Sequence, residues 1–243
     1  MAGHKTMSGT VYAIGVGPGD PELLTLKALH IIQSGALIAY PVGADSGESF
    51  AREIAAPHIP SDANEYGFTI PMRVDPTLAQ SAYDEAAREI AHTLEGGLDV
   101  ALLCEGDPLF YGSAIYLLER LSARFKCEVT PGITSLTACA AACNHPLATR
   151  NNRLKVLPAP MDEITLEVEL ANTEAAAIIK VGRHFEKLRK IIKKLNLDEG
   201  ALLVEHATGE REKITPLNGV EKGEQPYFST ILINNDEQRG VEK

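Results

Sequence analysis

Short apolar runs alternate with segments of helical periodicity along most of this 243-residue chain. Such alternation is typical of α/β proteins with largely parallel sheets, which is the fold class that we predict. One helix shows the period clearly, because its apolar residues share a face and Gly96-Gly97 follows them. Those residues are Tyr83, Ala86, Ala87, Ile90, Ala91 and Leu94. In the first half we predict strands at 10–16, 36–40, 66–71, 98–103 and 126–130, and helices at 21–34, 48–56, 79–95 and 113–124.

The second half continues the pattern after a Pro-Gly pair. "PGITS" at 131–135 separates a predicted N-terminal α/β domain, 1–130, from a C-terminal α/β domain, 131–243. The last two strands are expected to be antiparallel, because only short turns separate them from their neighbours. The elements predicted for this half are helices at 134–143, 163–171 and 184–195, and strands at 154–158, 175–181, 201–206, 211–216 and 227–234. In the basic helix at 184–195, an apolar face indicates that the lysines form the solvated side rather than a polyanion-binding surface.

The first strand runs into a glycine-rich loop, "GVGPGD", that does not suit a dinucleotide. Gly15, Gly17 and Gly19 have the spacing G-x-G-x-G, whereas the dinucleotide fingerprint needs G-x-G-x-x-G before a helix. Pro18 also stands where the fingerprint requires amides that face a pyrophosphate. The loop therefore argues against NAD-type chemistry and leaves its own purpose open.

Composition excludes several other classes of protein. A net charge of -10 argues against a general nucleic-acid binder, which needs basic surface. No apolar run reaches the roughly 18 residues of a membrane span, and no signal segment is evident, so we expect a cytoplasmic protein. Cys139 and Cys143 lie one helical turn apart; they either bind a metal with a further partner or are small core residues of an alanine-rich helix. Without C-x-x-C or paired-histidine spacing, we predict no protein-bound metal.

Three loops follow strands at the position where open α/β sheets bind ligands: the opening loop, "CEGDPLFYGS" at 104–113 and "PGITS". Together with "KVGR" at 180–183 and "VEHAT" at 204–208, they resemble the tetrapyrrole (corrin/porphyrin) methyltransferase family over residues 10 to about 234. The resemblance implies two α/β domains with mixed sheets and a cleft between them that holds S-adenosylmethionine. It also implies a homodimer, with the substrate trough and opening loop in the first domain and the second completing the cofactor site.

Within that family, "IAYP" at 38–41, "SFAREIA" at 49–55 and "IPM" at 70–72 look like the branch that methylates position 20 of precorrin-2 or its cobalt complex. Siblings that act on uroporphyrinogen have an acidic residue where this chain has Pro41, so that substrate is disfavoured. The near alternative is a methyltransferase of the same family that acts at another position of the tetrapyrrole ring. A branch that modifies protein or RNA fits the acidic charge less well, and a non-catalytic tetrapyrrole carrier would not need the set of cofactor loops.

The resemblance assigns cofactor contacts residue by residue, many of them through the main chain. They are Pro18, Glu105, Gly106, Asp107, Phe110, Thr134, Ser135, Val181, Ala207 and Thr208. By themselves, Val181 and Ala207 read as core residues, and Asp107 reads as the first residue of an Asx turn.

Methyl transfer to a tetrapyrrole carbon also requires removal of a proton. Asp107, Lys180 and Tyr227 are the candidates for this catalytic role. Alternatively, the Lys180 ammonium reaches out to water and Tyr227 covers the sheet. The substrate has eight carboxylates, and five cations in or beside loops are candidates to bind them. These are Arg52, Arg73, Arg150, Arg153 and Lys155, each of which also fits a solvated surface role.

Overall fold

The computed structural model describes residues 8–44, 46–71 and 76–234. The chain divides into two compact units, Met1–Thr134 and Ser135–Lys243. The α/β fold class is confirmed, because each unit contains a five-stranded sheet with helices packed on it. No helix within the described ranges is both long and apolar enough to cross a membrane.

The first unit contains five strands and four helices. The strands are β1 (Thr10–Gly15), β2 (Leu37–Gly43), β3 (Glu65–Ile70), β4 (Val100–Cys104) and β5 (Lys126–Thr130), and the helices are α1 (Leu26–Ile32), α2 (Phe50–Ala55), α3 (Pro76–Glu95) and α4 (Ala114–Leu121). The sheet is parallel throughout, in the order β3-β2-β4-β1-β5. Its helices cover both faces: α3 and α4 supply one hydrophobic cluster, and α1 and α2 supply the other. Because all five strands point the same way, their carboxyl ends share one edge.

The periodicity predicted for α3 is confirmed, since all six apolar residues named for its face are buried. The single helix predicted at 21–34 is wrong. A 3₁₀ turn at Pro21–Leu23 ends at Leu24, whose backbone is extended, and α1 starts afresh after Thr25. Asp20 caps the turn and Thr25 caps α1 through their side-chain oxygens, so two local caps divide one apolar pattern.

Pro41 lies inside β2 without breaking the sheet. Its strand pairs with β3 from Ile38 to Gly43 but with β4 only as far as Ala39. The proline therefore lies beyond the segment in which β2 needs donors toward its inner neighbour.

The second unit contains five strands and three helices. The strands are β6 (Leu154–Pro158), β7 (Ala175–Ile179), β8 (Leu202–Glu205), β9 (Lys213–Pro216) and β10 (Ser229–Asn234), and the helices are α5 (Ser135–Ala142), α6 (Glu163–Ala171) and α7 (Phe185–Lys194). The strands form a mixed sheet in the order β6-β7-β10-β8-β9. The antiparallel arrangement predicted for the last two strands is confirmed. A short turn accounts for the pairing of β8 with β9, whereas β10 enters between β7 and β8 and does not pair with its chain neighbour β9.

The basic helix α7 is amphipathic as predicted. Its apolar face, which includes Phe185 and Leu188, is buried in the core of the second unit. Its lysines bind neighbouring groups: Lys187 donates to the carbonyl of Ala159, and Lys190 and Lys194 pair with glutamates of α6. The basic run thus holds α7 against α6 rather than forming a free cationic surface.

Candidate functional site

The loops that follow β1 and β4 are joined at the carboxyl edge of the first sheet. Gly17 and Gly106 form an isolated antiparallel bridge, in which the Gly106 N–H donates to the Gly17 carbonyl at 2.8 Å. The Val16 N–H also donates to the Cys104 carbonyl at 2.9 Å. The opening glycine loop therefore serves to join two loops by main-chain contacts.

The loop after β5 packs against the same point through glycine. A Cβ atom built on Gly132 would lie 2.0 Å from the carbonyl oxygen of Gly106 and 2.7 Å from the Cα of Gly15. A Cβ on Gly15 would in turn lie 2.5 Å from the Gly132 nitrogen. We call this contact of Gly15, Gly106 and Gly132 the glycine junction. It brings three of the sequence motifs together in one place.

Gly106 has a backbone conformation that favours glycine. Its φ is +62°, and a Cβ built on it would lie 3.8 Å from the nearest atom, the carbonyl oxygen of Ile133. A Cβ would therefore be in ordinary van der Waals contact with the loop after β5, and the positive φ rather than lack of space favours glycine here. Its N–H and its carbonyl are both hydrogen-bonded to Gly17.

Asp107 links the second and third motifs through both of its carboxylate oxygens. Oδ1 accepts from the Leu109 N–H at 2.9 Å, which is an Asx turn, and Oδ2 accepts from the Gly132 N–H at 3.1 Å. The carboxylate is only partly buried. Its geometry is that of a group that holds two loops in position.

Glu105, two residues before Asp107, is also half-buried. Burial raises the pKa of this carboxyl, while the backbone N–H groups of Glu105 and Ala51 partly offset that effect. The side chain therefore faces the start of α2. Pro18 and Phe110, the other predicted cofactor residues of these two loops, are half-buried.

Thr134 and Ser135 lie where the first unit ends and the second begins. Both are half-buried, and Ser135 is the first residue of α5.

In the second unit, the predicted residues gather at one edge of the mixed sheet. The Gln225 N–H donates to the Gly182 carbonyl at 3.3 Å, and the His206 N–H donates to the Phe228 carbonyl at 2.9 Å. These bonds join the loop after β7, the loop after β8 and the segment that leads into β10. The edge thereby collects Lys180, Val181, Ala207, Thr208 and Tyr227.

Within this edge the five residues have different surroundings. Val181 and Ala207 are buried, so their side chains belong to the core, as their types alone suggest. The Thr208 N–H donates to the Glu212 carboxylate at 2.6 Å. Tyr227 is 52% exposed, and its ring meets that of Phe228 edge to face. Lys180 follows directly after β7 with a φ of +59°.

Left-handed backbone conformations are concentrated in the motif loops. Of the seven described non-glycine residues with positive φ, four lie there: Tyr111, Lys180, His206 and Thr208. Such conformations are strained for residues with a side chain and often occur at functional sites. Sequence reasoning missed Tyr111 and His206, because a non-glycine residue gives no compositional signal of a left-handed backbone.

Three of the cations expected to bind substrate carboxylates are already paired within the chain. Arg52 binds Glu65 with two hydrogen bonds, of 2.7 and 2.9 Å. Arg153 pairs with Glu174 at 3.0 Å, and Lys155 with Glu169 at 2.9 Å. Arg150 is exposed. Arg73 lies outside the described residues.

The Arg52 pair also includes Tyr40, the residue before Pro41. The Arg52 guanidinium lies 6.0 Å from the centre of the Tyr40 ring. Burial raises the pKa of the Tyr40 hydroxyl, and a hydrogen bond to Glu65 raises it further. The hydrogen bond from Arg52 holds the pKa of the Glu65 carboxyl below its usual value. Sequence reasoning missed Glu65, because the residues of this cluster come from three separate elements.

Among the described residues, no three His, Cys, Asp or Glu side chains converge on a common point. Cys139 and Cys143 therefore lie in no metal-binding cluster of those residues. Cys139 is buried, and burial raises the pKa of its thiol to about 12. Its surroundings are those of a core residue.

Comparison with known proteins adds to this geometry. Residues 10–220 match the model of a family described as tetrapyrrole (corrin/porphyrin) methylases. The cobalamin biosynthesis protein CobIJ of Mycobacterium tuberculosis is 35% identical over 96% of this chain, which spans about half (47%) of that protein's length.

Two other relatives match over nearly their whole length. The precorrin-2 C(20)-methyltransferase of a Sinorhizobium species is 37% identical, over 93% of this chain and 95% of that protein. The cobalt-precorrin-2 C(20)-methyltransferase of Salmonella typhimurium is 30% identical, over 94% and 97%. Among solved structures, the cobalt precorrin-4 methyltransferase CbiF has a TM-score of 0.68 at 24% identity and covers 93% of this chain and 94% of its own, which shows a shared fold.

Proposed function

Because this chain belongs to the tetrapyrrole (corrin/porphyrin) methylase family, we propose that it is an S-adenosylmethionine-dependent C-methyltransferase acting at position 20 of precorrin-2 or cobalt-precorrin-2. The observation that carries the proposal is the near full-length similarity to two relatives named for that reaction. Both relatives are similar in length to this chain, so the match does not depend on a fragment of a larger protein.

The motif loops support the cofactor part of the proposal. In the first unit, the residues proposed to bind S-adenosylmethionine are Pro18, Glu105, Gly106, Asp107, Phe110 and Thr134. In the second unit they are Ser135, Val181, Ala207 and Thr208. When bound, S-adenosylmethionine supplies a methyl group as a sulfonium. Gly106 is half-buried and has no side chain to obstruct such a ligand, whereas Val181 and Ala207 are buried and their contacts rest on the family resemblance alone.

Different roles follow for the three candidate catalytic residues. The Asp107 carboxylate accepts two backbone N–H groups, which supports a role in holding the cofactor loop and leaves it a weaker candidate for proton transfer. Lys180 and Tyr227 lie at the same edge of the second sheet, and Tyr227 is half exposed. We propose that one of these two groups, in its deprotonated form, accepts the proton lost from the methylated carbon: the neutral Lys180 amine at Nζ or the Tyr227 phenolate oxygen.

The substrate part of the proposal needs cations near the macrocycle. Arg150 and Arg73 remain proposed carboxylate ligands. Arg52, Arg153 and Lys155 would each have to exchange an internal carboxylate for one of the substrate. We propose that the first unit carries the substrate-binding surface. A homodimer stays a prediction from the family resemblance, and light scattering would measure the mass of the particle. A cytoplasmic location stays a prediction from the sequence.

A labelling experiment tests the reaction. The protein is incubated with S-adenosylmethionine carrying a ¹³C-methyl group and with either precorrin-2 or cobalt-precorrin-2, and NMR locates the label. Label at position 20 is the expected result, and the preferred substrate identifies the metal state. Label at another ring position would identify a sibling activity, and no label in either macrocycle would overturn the proposal.

A Lys180→Met variant tests its proton-accepting role. Methionine preserves the length of the stem but cannot take a proton, so turnover with saturating cofactor should fall by about 10²- to 10⁴-fold if Lys180 is the base. Tyr227→Phe is the matched experiment for the other candidate. Unchanged turnover in either variant removes that residue from the mechanism.

A further inference from the structure

The loop between β4 and α4 presents an exposed aromatic side chain in a strained backbone conformation. Tyr111 has a φ of +57° and is 46% exposed. Left-handed backbone is costly for any residue with a Cβ, and glycine adopts it readily. The loop thus carries a large side chain at a position where the backbone conformation alone would favour glycine.

Local packing requires the neighbouring glycine and uses about half of the tyrosine. A Cβ built on Gly112 would lie 2.6 Å from the carbonyl oxygen of Pro108, so glycine is required there by space. At Tyr111 the ring contacts that of Phe110 edge to face, with centroids 5.1 Å apart, and nearly half of the residue stays exposed. The loop therefore fixes one part of the side chain and leaves the rest accessible to a ligand.

The loop is held in place at its start. Asp107 binds the N–H groups of Leu109 and Gly132, and the Phe110 N–H donates to the Asp107 carbonyl at 3.3 Å. Leu109 beside it is 57% exposed. A fixed loop at the carboxyl edge of the sheet therefore presents two apolar side chains to whatever binds there.

We infer that Tyr111 is a substrate-binding residue whose ring stacks on the tetrapyrrole macrocycle, with Leu109 beside it. The inference rests on the proposed function, and it adds a contact for the flat apolar body of a substrate whose carboxylates need cations elsewhere. Stacking of a planar ring on an exposed aromatic side chain uses its π-face and requires no hydroxyl group. Strained backbone conformations cluster at ligand-binding sites, where a fixed side chain is presented to the ligand.

The experiment compares Tyr111→Gly with Tyr111→Phe. For each variant, absorbance titration gives the Kd of precorrin-2, calorimetry gives the Kd of S-adenosylhomocysteine, and a thermal scan gives the midpoint of unfolding. In Tyr111→Gly we expect the macrocycle Kd to rise at least about tenfold, while the cofactor Kd and the unfolding midpoint do not worsen. Tyr111→Phe keeps the ring, and its macrocycle Kd should stay within about twofold of wild type.

Tyr116→Leu is the matched control. It removes another exposed tyrosine of the same unit, 42% exposed on α4, and should leave the macrocycle Kd unchanged. If Tyr111→Gly does not fold, Tyr111→Asn replaces it, because asparagine tolerates a left-handed backbone.

Two results would overturn the inference. The first is a macrocycle Kd in Tyr111→Gly equal to that of wild type. The second is a lowered unfolding midpoint together with a higher Kd for the cofactor product, which would show a structural role. Failure of the proposed function has a different signature, since wild-type protein would then transfer no methyl group whatever the Tyr111 variants bind.

Discussion

Asp107 shows how a single carboxylate determines the local arrangement of two motifs. Its two oxygens accept N–H groups from its own loop and from the loop after β5, at 2.9 and 3.1 Å. Sequence reasoning foresaw the Asx turn, because Asp-Pro is a common turn former. It could not foresee the bond to Gly132, since the two residues are 25 positions apart and no local pattern links them.

An Asp107→Asn variant separates these two contacts. Asparagine keeps one oxygen for the Leu109 N–H but turns an amide NH₂ toward the Gly132 N–H, so that two donors face each other. We expect the first unit to lose about 1–3 kcal/mol of unfolding free energy and the Kd of S-adenosylhomocysteine to rise. Urea unfolding followed by tyrosine fluorescence measures the stability, because the chain has no tryptophan and six of its seven tyrosines lie in this unit.

The control for this variant is Asp84→Asn. Asp84 is also an aspartate of the first unit, but its side chain is 61% exposed and pairs with Arg120 on the surface. Its loss should cost about 0–1 kcal/mol. Equal losses in the two variants would show that the Asp107 contacts have no special importance.

At the scale of elements, the fold follows from hydrophobic patterning, and the site depends on contacts between loops. The strands and helices were predictable because each buries an apolar face with its own period, as α3 and α7 do. The helix at 21–34 failed because capping by Asp20 and Thr25 interrupts a pattern that periodicity alone reads as continuous. The internal pairing of Arg52 could not be predicted, since Glu65 comes from a different element.

The glycine junction is the element-scale feature with the least tolerance. In Gly132→Ala, the added methyl group would meet the Gly106 carbonyl and the Gly15 backbone, none of which can rotate away. We expect a loss of about 1–3 kcal/mol or more in unfolding free energy, from overpacking of main chain against main chain. Gly219→Ala is the control, because the nearest atom to its added Cβ is 3.8 Å away. Chemical denaturation of both variants measures the difference, and a fully stable Gly132→Ala would contradict the packing described.

The pair of Arg52 and Glu65 connects α2 to β3 and gives a pH dependence. Because Arg52 lowers the pKa of Glu65, the pair stabilises the fold above the ordinary carboxyl pKa of 4.5, and this contribution is lost as pH falls through the lowered value. The side chains are 42% and 26% exposed, so solvent screening limits the contribution. Glu65→Gln should cost about 0.2–1 kcal/mol at pH 7 and nothing once the wild-type carboxyl is protonated.

Urea midpoints at a series of pH values test this prediction. Glu53→Gln is the matched control, because Glu53 is an exposed glutamate of α2, the helix that contains Arg52. A pH-independent difference between Glu65→Gln and wild type would show that packing, not the charge pair, accounts for the loss.

At the scale of the whole molecule, charge balance bears on how an anionic substrate approaches. The chain has a net charge of -10, and three of the cations considered for substrate binding are matched by internal carboxylates. Averaged over the molecule, the long-range potential toward a macrocycle with several carboxylates is therefore repulsive. Association with such a substrate should be slow at low salt.

Raising the ionic strength from about 0.01 to 0.15 M shortens the Debye length from about 30 to 8 Å and screens that repulsion. We expect kcat/KM for precorrin-2 to rise over this range, whereas the Kd of S-adenosylhomocysteine, which carries no net charge near pH 7, changes little. Steady-state rates in sodium chloride at constant pH measure the effect. A kcat/KM that falls with salt would show that local cations at the entrance outweigh the charge of the whole molecule. In that case, Arg150→Ala should reduce the salt dependence. Arg150 is chosen because it is a proposed carboxylate ligand that is exposed and has no internal ion pair within the described residues.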